Sequence, residues 1–164
     1  MSADRLVSTY LNDHFAGSVA AVELARRAGR SNRGTAYGEM LSALVDEVIE
    51  DRATLQQVMR SLGFGIDRPK AALAWVAEKL GRFKLNGQVV GYSPLSRLEE
   101  LEVLSLGIEG KVMLWQSLER AAPTVPALGQ VDFERLIRRA RNQLRRVRRA
   151  RLKAAAEALS APTV

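Results

Sequence analysis

Residues 63–93, GFGIDRPKAALAWVAEKLGRFKLNGQVVGYS, separate two stretches of long helical periodicity. Gly63 and Gly65 stop the helix that precedes them. Asp67 and Pro69 open a shorter helix to about Phe83, with Leu73, Val76, Ala77 and Leu80 as its apolar face. The run from Asn86 to Tyr92 reads as a loop, and Ser93-Pro94 pairs an N-cap with a proline at the first helical position. Helix–helix connections in bundles usually take about 2–8 residues. A connection of 31 residues is instead long enough to run the length of a bundle and carry an extra helix.

Four long helices flank this connection in pairs. The first is expected over 3–28, with Val7, Tyr10, Leu11, Ser18, Ala21 and Ala25 on one stripe, His14 among them, and Gly29 as its C-terminal stop. The second covers 36–62 after the N-cap Thr35 and presents Tyr37, Leu41, Leu44, Val48, Leu55, Met59 and Leu62. The third long helix covers 94–121, with Leu98, Leu101, Ser105, Ile108, Val112 and Gln116 as its inner stripe. Asp132 caps the last, 132–159, whose core face is Phe133, Leu136, Ala140, Leu144, Val147 and Ala154. Residues 160–164 read as a frayed tail. The expected architecture is all-α: two antiparallel helix hairpins joined by a lengthwise crossover, in one domain over 1–159.

Composition narrows the class. The chain has 164 residues, no cysteine and one histidine, which excludes a disulfide scaffold, a thiolate zinc site and a cysteine nucleophile. Met1-Ser2-Ala3-Asp4-Arg5 lacks the basic region and apolar run of a signal peptide, and no uncharged apolar stretch approaches the roughly 20 residues of a membrane span. The expectation is a cytoplasmic, bacterial-type protein with no membrane partner. The net charge of +7 belongs entirely to residues 131–164, which hold ten Lys and Arg against three Asp and Glu. The remaining residues hold fifteen of each sign.

Counting outward from the loop centres sets the register of the bundle. His14 falls level with Glu50 and Asp51, Asp51 level with Glu109 and Gly110, and Glu109 level with Gln143. One inward layer of His14, Asp51, Glu109 and Gln143 is expected, with Glu102 two turns away beside Arg151. Polar groups at the centre of a bundle cost several kcal/mol unless they are paired. Either they pair with one another or they hold a ligand. In the first case His14 bonds Asp51, and Glu102 pairs with Arg151 or with the inward-leaning Arg52. In the second, one Fe or Mn ion sits on His14, Asp51, Glu109 and Glu102, since imidazole with carboxylates suits these metals. An acid–base site is a third reading, with no nucleophile or phosphate loop beside it.

Three stretches carry a resemblance: Tyr10-Leu11-Asn12-Asp13-His14-Phe15-Ala16-Gly17, Ala74-Trp75-Val76-Ala77-Glu78-Lys79, and Leu101-Glu102 through Leu106-Gly107-Ile108-Glu109-Gly110-Lys111. Over roughly residues 6–120 the chain resembles a group of uncharacterised bacterial ferritin-like proteins. The resemblance implies a fold and no activity. Ferritin-like two-iron centres take one Glu from each of two helices and Glu-x-x-His from each of the other two. One histidine cannot fill two such motifs. Helix two offers Glu47, Glu50 and Asp51, and the last helix offers only Gln143 and Arg151. The expected reading is therefore a member that has lost the two-iron pattern, with a structural or interaction role and no cofactor. The alternative is a single-metal oxidoreductase.

The last helix carries nine arginines between 135 and 151. Arg138, Arg141, Arg145, Arg146, Arg148 and Arg149 form its anion-facing set. The bland reading is a solvated outer face that keeps a small bundle soluble. The functional reading is an acidic protein or a nucleic acid held through phosphates, without base stacking because no aromatics interleave. A homo-oligomer is a further partner the sequence leaves open. Glu47, Glu50, Glu99 and Glu100 read as solvated charge, and Trp75 and Trp115 as packing residues, Trp75 with a partner contact as its alternative.

Overall fold

Side chains at each helix end satisfy backbone groups that the helix leaves free. In the computed structural model, which describes residues 3–66 and 92–160, helix α1 spans Ala3–Ser31 and α2 spans Ala36–Ser61. Thr35 Oγ1 accepts from the Gly38 amide at 3.3 Å as the N-cap of α2. Gly63, at φ +77°, closes α2 with Phe64 N donating back to Met59 O at 2.9 Å, the six-to-one closure of a glycine-ended helix. Helix α3 spans Pro94–Ala121, with Ser93 Oγ accepting from Ser96 N. Two short 3₁₀ turns, Ala122–Thr124 and Pro126–Leu128, lead to α4, Phe133–Leu159, capped by Asp132 Oδ1 on Arg135 N.

One boundary differs from the sequence expectation. Gly29 does not end α1. It lies inside the helix, where a Cβ would make an ordinary contact of 3.6 Å with Leu41 Cβ. The stop falls at Asn32 and at Gly34, which takes φ +78°. The expected helix over 69–83, the loop after it and residues 161–164 lie outside the described residues.

Cross-helix bonds fix the directions of the helices. Tyr10 meets Ser117 and Arg27 meets Glu100, so α1 and α3 are antiparallel. Glu47 meets Arg146 and Asp51 meets Arg139, so α2 and α4 are antiparallel. Consecutive hairpins α1–α2 and α3–α4 then make α2 and α3 parallel. Gly65 O accepts from Asn12 near one end of α1, and Tyr92 Oη accepts from Asn32 at the other. At 1.5 Å per residue those two points on α1 are about 30 Å apart. The chain between α2 and α3 therefore starts at one end of the four-helix bundle and finishes at the other. No helix among the described residues is long and apolar enough to cross a membrane.

The end that holds the α1–α2 turn is fastened by a polar chain. Asn32, 2% exposed, donates to Ala28 O at 2.8 Å and to Tyr92 Oη at 2.7 Å, and accepts from Arg97 Nε at 2.7 Å. Tyr92 Oη donates to Glu100 Oε2 at 2.8 Å, and Arg27 holds Oε1 of the same carboxylate. Burial, with Glu100 beside it, pushes the Tyr92 phenol well above its ordinary range. Glu100 is thus buried and not the solvated charge its sequence position suggests, because its reach toward Arg27 and Tyr92 compensates its desolvation.

Two apolar clusters fill the interior. One, toward the α1–α2 turn, includes Val22, Leu44, Val48, Leu104, Ile108, Leu144 and Val147. The other includes Leu11, Leu55, Val112, Trp115, Phe133, Leu136 and Ala140. The boundary falls between Val48 and Leu55, between Ile108 and Val112, and between Ala140 and Leu144.

Two glycine substitutions separate close packing from open space. A Cβ at Gly38 would collide with the Asn32 backbone carbonyl, whereas one at Gly107 would meet nothing within 4 Å. Gly38→Ala should lower stability by about 1–3 kcal/mol. Gly107→Ala should raise it by about 0.5–1 kcal/mol. Urea midpoints of the two variants check both signs.

Candidate functional site

At the boundary between the two apolar clusters the chain places a charged knot. Asp51 on α2 is 2% exposed and Gln143 on α4 is fully buried. Asp51 Oδ2 accepts from Lys111 Nζ at 2.5 Å and from Gln143 Nε2 at 3.0 Å. Its Oδ1 accepts from Arg139 Nε at 2.8 Å and also from Arg139 Nη2. Lys111 Nζ donates a second time, to Gln143 Oε1 at 2.5 Å. Arg139 Nη1 continues outward to Glu50 Oε2 at 2.7 Å.

The electrostatics follow from this geometry. Burial alone would push the Asp51 carboxyl up. The Lys111 ammonium, with hydrogen bonds from Lys111, Gln143 and Arg139, outweighs that and holds it below the ordinary carboxylate range. Burial lowers the Lys111 amine, and Asp51 draws it back toward the charged form. The layer is thus an internal ion pair whose carboxylate accepts four hydrogen bonds.

The expected layer is met in part. Asp51 and Gln143 do face each other, and the register is right to within a turn. Glu109 does not face inward. It is half-buried at the seam with α4 and accepts from Arg148 Nη2 at 2.8 Å. Lys111, one turn on from Ile108, reaches inward beside a buried stripe that runs as expected through Leu98, Leu101, Ser105, Ile108 and Val112. Gln116 is exposed. Glu102 meets Arg151 at 3.6 Å, as expected of the pair, but at the surface and not in the core. His14 lies at the flank of the α1 stripe, half-buried, with its ring edge-on to Tyr10 at 4.7 Å and no bond to Asp51. Burial lowers its pKa, against a smaller upward pull from Asp13. Val7 and Tyr10 are largely exposed.

Neither Lys111 nor inward Arg139 is foreseen from sequence. Lys111 could have been found: it continues the spacing of Leu101, Leu104 and Ile108. Arg139 is hidden among its neighbours in the arginine run. Most of that run has an acidic partner, much of it at the surface. Arg146 meets Glu47 at 2.5 Å, Arg148 meets Glu109, and Arg138 meets Glu134 at 2.7 Å. Glu47 and Glu50 are therefore helix-to-helix partners and not free surface charge. Arg141, Arg145 and Arg149 keep no acidic partner among the described residues.

Beside the knot lies a cleft of about 290 Å³ between α1, α2 and α3. Gly17 on α1 and Gly107 and Gly110 on α3 leave the seam open, since a Cβ at each would meet nothing within 4 Å. Val48, Leu55, Ile108 and Leu114 give it apolar walls, and Asp13, His14 and Arg52 add polar groups. Arg52 leans inward, as expected, yet no acid among the described residues pairs with it.

Iron or manganese would need carboxylates and imidazole converging on one point. Among the described residues no group of three or more His, Asp and Glu does so. The donors do not fit: Asp51 is the only carboxylate in the layer, and two cations already bind it.

Removing Asp51 leaves the Lys111 ammonium without an anion and Arg139 with Glu50 alone, whereas removing Lys111 leaves Asp51 on Arg139 and Gln143. Asp51→Ala should therefore cost about 3–5 kcal/mol, the cost of an uncompensated buried charge. Lys111→Met should cost clearly less, and chemical denaturation of the two variants tests the order. No protein-family model, curated protein or solved structure matches the chain. The meaning of the site thus rests on its own chemistry.

Proposed function

We propose that the chain is a ferritin-like bundle that has replaced the two-iron centre with an internal ion pair and serves as a small binding and interaction module. The parallel α2 and α3, joined end to end along the bundle, support the ferritin-like assignment. The observation that carries the functional reading is Lys111 Nζ, 2.5 Å from both Asp51 and Gln143 in the central layer. An ammonium there supplies the positive charge that a metal would supply, and it needs no ligand set. The resulting layer specifies helix register, the best-attested use of buried polar groups. An anionic macromolecular partner is the weaker reading, because only Arg141, Arg145 and Arg149 of the run keep no acidic partner among the described residues.

Elemental analysis of protein purified without chelator or affinity tag tests the proposal. Iron and manganese should both fall far below one per chain. A stoichiometric ion that disappears in His14→Ala would overturn it.

A further inference from the structure

The cleft beside the ion pair has four features that the central layer does not explain. Its walls are apolar, but Arg52 reaches it with no acidic partner among the described residues. His14 shares the cleft, with an imidazole that can donate a hydrogen bond. Trp115 also lines it and is 1% exposed, and its buried indole Nε1–H has no acceptor among the described residues. Buried donors are almost always satisfied, so the indole leaves an unmet need for an acceptor beside the cleft. The fourth feature is the glycine seam. Three glycines in helix interiors cost helix stability, and here they keep the space open.

We propose that this cleft binds a small carboxylate with an aromatic or branched apolar body. The body lies against Val48, Leu55, Ile108 and Leu114, and Arg52 and His14 receive the carboxylate. Charge complementarity selects the anion. Asp51 and Lys111 neutralise each other, and of the two charges left at the cleft Asp13 lies on its exposed rim and Arg52 is the more buried. A volume of about 290 Å³ suits a ligand of this size and is at the small end of ligand pockets. The assignment rests on the metal-free reading of the central layer.

The test follows the Trp115 indole N–H signal by NMR in the intact chain, assigned by loss of the other signal in Trp75→Phe. 3-Phenylpropionate should shift it saturably, and 3-phenylpropanamide should bind at least about tenfold more weakly, for want of the charge-assisted bond. Arg52→Met should weaken the acid by a similar factor and leave the amide unchanged. Gly110→Leu should stay folded, since leucine is a better helix former than glycine, and bind neither probe. No saturable shift, equal affinity for acid and amide, or undiminished binding by Gly110→Leu overturns the assignment. Chelator should have no effect. Binding that vanishes with chelator overturns the metal-free reading, whereas absence of binding with and without chelator overturns the cleft assignment alone.

Discussion

A single carboxylate, Asp51, sits where two apolar clusters meet, and the helices around it are arranged to keep it charged. Removing a carboxylate from water costs several kcal/mol even after relaxation, so it demands partners with good geometry. Lys111 from α3 and Arg139 and Gln143 from α4 supply them. These contacts tie α2 to two helices distant in sequence and fix their relative height. A slip of one turn would leave Asp51 facing leucine and valine from the adjoining clusters.

The same constraint accounts for the uneven charge of the chain. All of the net charge of +7 lies in residues 131–164. Helix α4 is wedged between acidic faces: Glu47, Glu50 and Asp51 on α2, and Glu102 and Glu109 on α3. Its arginines meet them along both seams. Most of these pairs are partly exposed, and each contributes little alone. Together they specify which helix faces which, while the buried knot specifies the height.

Much of the fold was legible because it depends on local chemistry. Thr35, Ser93 and Asp132 cap helices as their positions predict, and the core faces of α2 and α4 match their periodicity. Loop counting put Asp51 opposite Gln143. The errors differ: on α1 the start of the expected stripe, Val7 and Tyr10, is exposed, whereas on α3 the stripe holds from Leu98 to Val112 and fails only at Gln116. On α3, Glu109 is expected in the layer and Lys111 is not, because a cation reaches inward only where a carboxylate from another helix receives it. The cleft was illegible because it is made of absent side chains on two helices far apart in sequence.

The central claim is that Lys111 and Arg139 hold Asp51 ionised inside the bundle, and the titration of Asp51 itself tests it most directly. A group whose folded pKa is depressed gives stability that is present above its unfolded pKa and lost as pH falls through the folded one. The ¹³Cγ shift of Asp51, followed as pH is lowered, should keep its ionised value to a pH below the ordinary carboxylate range. A midpoint at or above that ordinary range would mean that the carboxyl is buried without effective partners, and the account would be contradicted.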